Sequence, residues 1–250
     1  MSVTTPEESG AAPTPPPPPR ADGSGSMFNR IAGRYDLLNR IISLGMDQGW
    51  RRRLVSTLPK EGEILDVATG TADVAIALAL ARRAVTVVGL DPSAGMLAVG
   101  DEKLARLELT ERVTLQEGDA LEMPFEDDRF AGCCVSFGVR NFPDRLRGLQ
   151  EMTRVTAPGG VVSVLELSEP REGLLAPLTR FHVHHVVPRV GAILSGDKEY
   201  RYLQSSVEAF PPPKDFKAMM EETGLTEVEI YPMPFHVAHL YVGRVPTAEP

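Results

Sequence analysis

The sequence predicts an α/β protein of the Rossmann-like, doubly wound kind, with a seven-stranded, mostly parallel sheet, an antiparallel hairpin at its C-terminal edge, N-terminal helices and a helical insertion. Three observations carry this. Short β-branched runs alternate with alanine- and leucine-rich helical stretches between Glu63 and Ser168. The first of those strands ends in Asp66-Val-Ala-Thr-Gly-Thr-Ala-Asp73, a glycine turn opening a helix. The last two apolar runs are joined by a connection too short for a parallel crossover.

Taken in order, residues 1–26 carry Pro15 to Pro19 in a row and a Gly-Ser-Gly-Ser stretch, cannot bury enough apolar surface to order, and read as a disordered tail. The folded domain is expected over 27–244, with 245–250 a second tail. From Phe28 onward Ile31, Tyr35, Leu38 and Ile42 recur at helical spacing, with Arg30, Arg34 and Arg40 on other faces, so an amphipathic helix leads in. Strand 63–68, helix 73–82, strand 85–90, helix 93–107, strands 113–117 and 130–137, helix 144–157 and strand 161–168 follow. Their alternation implies parallel pairing with right-handed crossovers. Thr156-Ala-Pro-Gly-Gly reads as a helix stop and a tight turn. A helical lid insertion is expected at about 172–210, its apolar stretch 174–194 broken by proline. Helix 214–223, ended by Gly224, then precedes strands 226–231 and 236–242.

At 250 residues and 42% hydrophobic the chain suits one well-buried core. Its net charge of −8 argues against nucleic acid as a partner, because a phosphate backbone would meet an opposing field. Cys133 and Cys134 are adjacent and badly placed for a structural bridge, which suits a reducing compartment. No signal-peptide pattern and no apolar run of membrane-spanning length is present, so a cytoplasmic protein is expected.

Gly70 sits where nucleotide-like ligands bind in open α/β sheets. A dinucleotide pyrophosphate wants three glycines there, G-x-G-x-x-G, and this chain has one; a phosphate would also meet Asp66 and Asp73. The acids suit a ligand with a cationic part, and S-adenosylmethionine offers an ammonium, a sulfonium and a carboxylate together. Asp91, ending the second strand, can accept both hydroxyls of a ribose, and Asp119 can take an adenine amino proton while Ala120 N–H serves a ring nitrogen. For each acid the competing role is a helix cap or a solvated turn.

These residues, with the blocks FNRIAGRYDLLNRIISLGMDQGWRRRLV, ILDVATGTADVA, VVGLDPSAGMLAVG, FGVRNFPDRLRGLQEMTRVTAPGG and SGDKEYRYLQSSVEAFP, resemble the ubiquinone/menaquinone biosynthesis C-methyltransferase family, within the class I S-adenosylmethionine-dependent methyltransferases. The resemblance runs from Phe28 to Gly243. It implies cofactor contacts at Thr71, Asp91, Asp119, Ala120 and Ser136, and a polyprenyl quinol acceptor, demethylmenaquinol before the ubiquinol precursor. Two departures stand out. Ala72 replaces a glycine common in the family, for which a tighter turn is expected, and Met233-Pro234-Phe235-His236 replaces a glycine-rich turn.

Arg140 and Asn141 leave the fourth strand on the ligand side, where an arginine steadies an oxyanion and an amide orients an oxygen. The resemblance likewise puts an arginine and asparagine at the acceptor, with Tyr35 as cap or proton relay. The competing role for Arg140 is an ion pair with Asp144 or a neighbouring acid, and for Tyr35 plain helix packing. No metal is expected: His182, His184 and His185 lack ligand spacing, and His236 and His239 on one strand would face opposite sides. The insertion suits either a lid packed on the protein or peripheral contact with a membrane's inner face. Homodimer formation is left open.

Overall fold

In the computed structural model the described residues are 32–33, 35–37, 39–40, 43, 45–169 and 197–247. The tail 1–26 and the insertion's apolar stretch 174–194, with its three histidines, lie outside them.

A seven-stranded sheet forms the centre, in the order β3-β2-β1-β4-β5-β7-β6. Its strands are β1 Gly62–Val67, β2 Val85–Asp91, β3 Val113–Glu117, β4 Phe130–Ser136, β5 Thr156–Leu167, β6 Thr226–Pro232 and β7 Ala238–Arg244. The first five pair in parallel, and β7 runs antiparallel between β5 and the outermost strand β6. The expected hairpin is therefore at the edge, with its second strand inserted inward. Pairing outlasts β7, since Val245 exchanges backbone bonds with Gly159 and Gly160.

The strands run as near-continuous apolar stretches because both faces are covered. Leu65, Val67, Cys133, Val135, Val162 and Val164 face one core cluster, and Ile64, Val85, Val87, Cys134 and Leu165 face the other. Period-two alternation thus sends the two cysteines to opposite faces, buried and unbridged. The helices are α1 Asp47–Thr57, α2 Asp73–Ala81, α3 Ala94–Arg106, α4 Arg145–Arg154, α5 Asp197–Glu208 and α6 Pro213–Glu222. Residues 32–40 are helical wherever described.

α1 was not expected as a separate element, because its charge-dense sequence hides the stripe Asp47, Trp50, Arg51, Leu54 and Val55 that it buries. Two boundaries also differ from expectation. α4 stops at Arg154, and Thr156 already pairs with Phe130, so Thr156-Ala-Pro-Gly-Gly is an irregularity inside the sheet: the register shifts between Phe130 and Gly132. β7 begins at Ala238 because Pro234–His236 form a tight turn in which Phe235 and His236 hold left-handed backbone.

Candidate functional site

Between β1 and α2 the chain turns through residues 68–72, and Ala68, Gly70 and Ala72 adopt left-handed backbone with φ of 51°, 58° and 66°. Ala72 keeps the glycine-type conformation and carries the strain, of order 1–2 kcal/mol for an L-residue. At Gly70 a Cβ would come 3.2 Å from Met96 Cε and 4.0 Å from Tyr35 Cε1, so the N-terminal helical segment closes over the turn.

Asp66 lies beneath this turn, 1% exposed, and accepts from Thr69 Oγ1 at 2.7 Å and Cys134 Sγ at 3.6 Å. Burial outweighs those bonds and lifts its pKa from 3.8 to about 6. Asp91 ends β2 next door: its Oδ2 accepts Gly70 N–H and its Oδ1 accepts Ser93 N–H, both at 2.9 Å. Burial raises its pKa as well, the two backbone bonds opposing. Gly70 N–H is therefore spent inside the protein, and Asp91 offers a ligand only its remaining lone pairs.

One cleft at the carboxyl edge is lined by Tyr35, Arg51, Asp66, Gly70, Thr71 and Ser136, among others. Ser136 ends β4, and its buried Oγ has no partner among the described residues. Thr71 is engaged: its Oγ1 donates to Asp36 Oδ1 at 2.6 Å and accepts from Lys103 Nζ at 2.9 Å. Asp119 and Ala120 lie farther along the edge, beyond the lining of this cleft. Asp119 is exposed and its Oδ1 caps Leu121 N–H at 2.9 Å, while Ala120 is buried in the core.

Arg140 follows β4 in the helical turn Val139–Asn141 and is 5% exposed. The acid it meets is Glu166 on β5: Nη1 to Oε1 is 2.7 Å, and the Arg140 N–H donates to Oε2 at 3.0 Å. Asp144 instead caps α4 through Arg147 N–H. Burial works against the Arg140 charge, but Glu166, Tyr35 and Tyr202 together raise its pKa. Asn141 Oδ1 accepts from Tyr202 Oη at 3.1 Å. Tyr202 itself is held above its ordinary range by burial, against the pull of Arg140 and Arg145.

His236 and His239 do not oppose each other across a strand; their rings lie 6.1 Å apart, and His239 Nδ1 is 2.6 Å from Ser168 Oγ. Among the described residues no three His, Cys, Asp or Glu side chains gather as a metal site.

Sequence reasoning missed Arg51, Glu166 and Tyr202. Glu166 left a usable trace, an acid in the apolar run 161–167 of β5, since a buried charge requires a partner. Arg51 left a fainter one at the i+4 position from Asp47.

A family model described as the ubiE/COQ5 methyltransferase family matches residues 21–244. The chain belongs to that family. It is 40% identical over 221 residues to the ubiquinone/menaquinone biosynthesis C-methyltransferase UbiE of Geobacter sulfurreducens, covering 87% of this chain and 86% of that protein. It is 43% identical over 223 residues to the demethylmenaquinone methyltransferase of Thermus thermophilus, covering 88% of this chain and all of that protein. A solved structure of Haemonchus contortus phosphoethanolamine N-methyltransferase 2 with S-adenosyl-L-methionine aligns with a TM-score of 0.63 at 14% identity, over 88% of this chain and 60% of that one. That last likeness is one of fold.

Proposed function

We propose that the chain transfers a methyl group from S-adenosylmethionine to a ring carbon of a demethylated polyprenyl quinol, with demethylmenaquinol the preferred acceptor. Membership of a methyltransferase family and the names of the Geobacter and Thermus relatives support the reaction class and the quinone acceptor. The observation that carries the reading is the position of Tyr35. It lines the glycine-turn cleft and also lies in the field of Arg140, which supports reading the cleft as the donor site and the Arg140 turn as the acceptor side of one centre.

The residues present fit the donor. Asp66 lines the cleft and Asp91 borders it, which suits a cationic ligand, and Ser136 Oγ is a buried polar atom without a partner among the described residues. S-adenosylmethionine supplies an electrophilic methyl on a sulfonium, and its transfer leaves a neutral thioether. The protein's task is then to hold the acceptor carbon in line with it. Arg140 stays protonated, so it favours the phenolate form of the quinol and does not itself remove the hydroxyl proton. Asn141, its carbonyl oxygen fixed by Tyr202, leaves its amide N–H groups to orient an acceptor oxygen. The hydroxyl proton leaves to solvent past the two phenols, Tyr35 and Tyr202; after transfer the ring carbon sheds its proton to restore aromaticity and the phenolate oxygen takes one up again, so one proton is released in all.

A polyprenyl tail does not leave lipid, and among the described residues no helix is long and apolar enough to cross a membrane. Reversible contact with the membrane's inner face is the mode of access this reading assigns. The test is incubation in detergent with radiolabelled methyl donor and reduced or oxidised demethylmenaquinone. Label is expected in the reduced substrate alone, because the oxidised ring is an electrophile; label in neither, with donor bound, would sink the acceptor assignment.

A further inference from the structure

Arg51 projects from α1 into the same cleft and is 9% exposed. Its Nη1 lies 2.5 Å from Asp73 Oδ2 and 3.4 Å from Asp47 Oδ2, and its guanidinium carbon is 5.6 Å from the centre of the Phe137 ring. Two acids and an aromatic face thus fix the group from behind. Its Nε is buried and has no partner among the described residues, as is also true of Ser136 Oγ, which lines the same cleft. Burying a guanidinium N–H without an acceptor is costly; the Nε of Arg140 and Arg145 are buried and unpartnered too, but Arg51 alone of the three lines the cleft, where a ligand can bring the acceptor.

The charges say which acceptor. Asp66 and Asp73 line the cleft and Asp91 borders it, which suits the ammonium and sulfonium of the donor but repels its carboxylate. Arg51 is the cation among the described residues lining the cleft. Lys103, which reaches the cleft residues Thr71 and Asp73, is already bound to Asp36, Asp73 and both oxygens of Thr71.

We propose that Arg51 receives the carboxylate at the amino-acid end of the donor, through Nε–H, with Asp73 and Asp47 holding the guanidinium in place. This makes Arg51 a binding and positioning residue that selects an α-amino acid end over an amine. The inference rests on the reading of the cleft as the S-adenosylmethionine site.

The test is calorimetric binding to the unloaded protein of two probes, S-adenosylhomocysteine and its decarboxylated analogue 5′-(3-aminopropylthio)-5′-deoxyadenosine, which keeps the adenosine, thioether and ammonium. Wild type is expected to prefer adenosylhomocysteine by roughly 10- to 100-fold, the size of a hydrogen bond between charged groups. Arg51→Met is expected to lose that preference by weakening adenosylhomocysteine alone, and Arg51→Lys to recover part of it. Equal loss for both probes would make Arg51 a purely structural link to Asp73 and overturn the proposal. Equal affinity of wild type for both probes would overturn it without any variant, which covers the case that Arg51→Met does not fold. Absence of binding by both probes to wild type would instead reject the donor site itself.

Discussion

Arg140 and Glu166 meet twice in the interior, through Nη1 to Oε1 at 2.7 Å and through the Arg140 backbone N–H to Oε2 at 3.0 Å, with the Glu166 side chain wholly buried. The carboxylate thereby fixes both the charge of the arginine and the path of the turn carrying Asn141. A loss of activity at Arg140 can therefore report either chemistry or folding.

The first prediction separates the two. Arg140→Ala leaves Glu166 buried and unpaired and is expected to destabilise the protein by about 3–5 kcal/mol in urea unfolding. The double variant Arg140→Met, Glu166→Gln removes both charges, keeps a side-chain oxygen to accept the backbone N–H of position 140, and should regain most of that stability. If Arg140 only supports the turn, the double variant will also regain methyl transfer; the proposed role requires that it stay inactive while binding adenosylhomocysteine like wild type.

Asp66 sets a pH dependence of opposite sign to the usual carboxylate. Its pKa is raised by burial, from 3.8 to about 6, so the folded state holds its proton more tightly than the unfolded chain does. The stabilising contribution of the protonated form is complete below pH 4 and is lost as pH rises through about 6, a change worth roughly 3 kcal/mol. Compared with Asp66→Asn, the unloaded wild type should lose that much stability between pH 4 and 7. Adenosylhomocysteine should bind the variant more weakly, so stability gained beneath the turn is affinity lost above it. Parallel unfolding curves for the two proteins across this range would refute the assignment.

The N-terminal helical segment is tied to the glycine turn through Asp36, which pairs with Lys103 at 2.5 Å and accepts from Thr71 Oγ1. Lys103→Met cuts that tie and one to Asp73, freeing the segment that places Tyr35 at the cleft. Donor affinity is expected to fall about 3- to 10-fold, in the range of one or two partly exposed charged bonds. Asp36→Asn should do the same. In a double-mutant cycle the two effects should fall well short of adding, and full additivity would show that the segment is held by other contacts.

Much of this site could be read from the chain because its acids and glycine sit at the ends of strands, where period-two patterning and a turn residue mark position within a residue or two. Asp66, Gly70 and Asp91 were legible in that way, and β3 fell at its expected bounds. Arg51, one of three successive arginines and paired with Asp73, was not, nor was Glu166, a charge in an apolar run paired with Arg140 far off in sequence. Local pattern names such a residue as odd without naming its partner. At Asp119 the strand end was right, and one of its carboxylate oxygens caps a local turn, the competing role open to each of these acids.

The two departures from the family's glycines give the last prediction, and their burial decides its outcome. Phe235 and Ala72 both hold left-handed backbone, with φ of 64° and 66°. Phe235 is 48% exposed, so Phe235→Gly sheds about 1–2 kcal/mol of backbone strain while giving up little packing. Thermal unfolding should shift upward by a few degrees. Ala72 is fully buried, and the position its methyl occupies is close to where a Gly100 Cβ would stand, at 3.3 Å. Ala72→Gly gains similar relief but loses a buried methyl worth about 1 kcal/mol, plus glycine's greater backbone entropy. Its stability should therefore stay within about 1 kcal/mol of wild type. A rise at Ala72 matching that at Phe235 would mean that the buried methyl contributes nothing to the packing of α2 against α3.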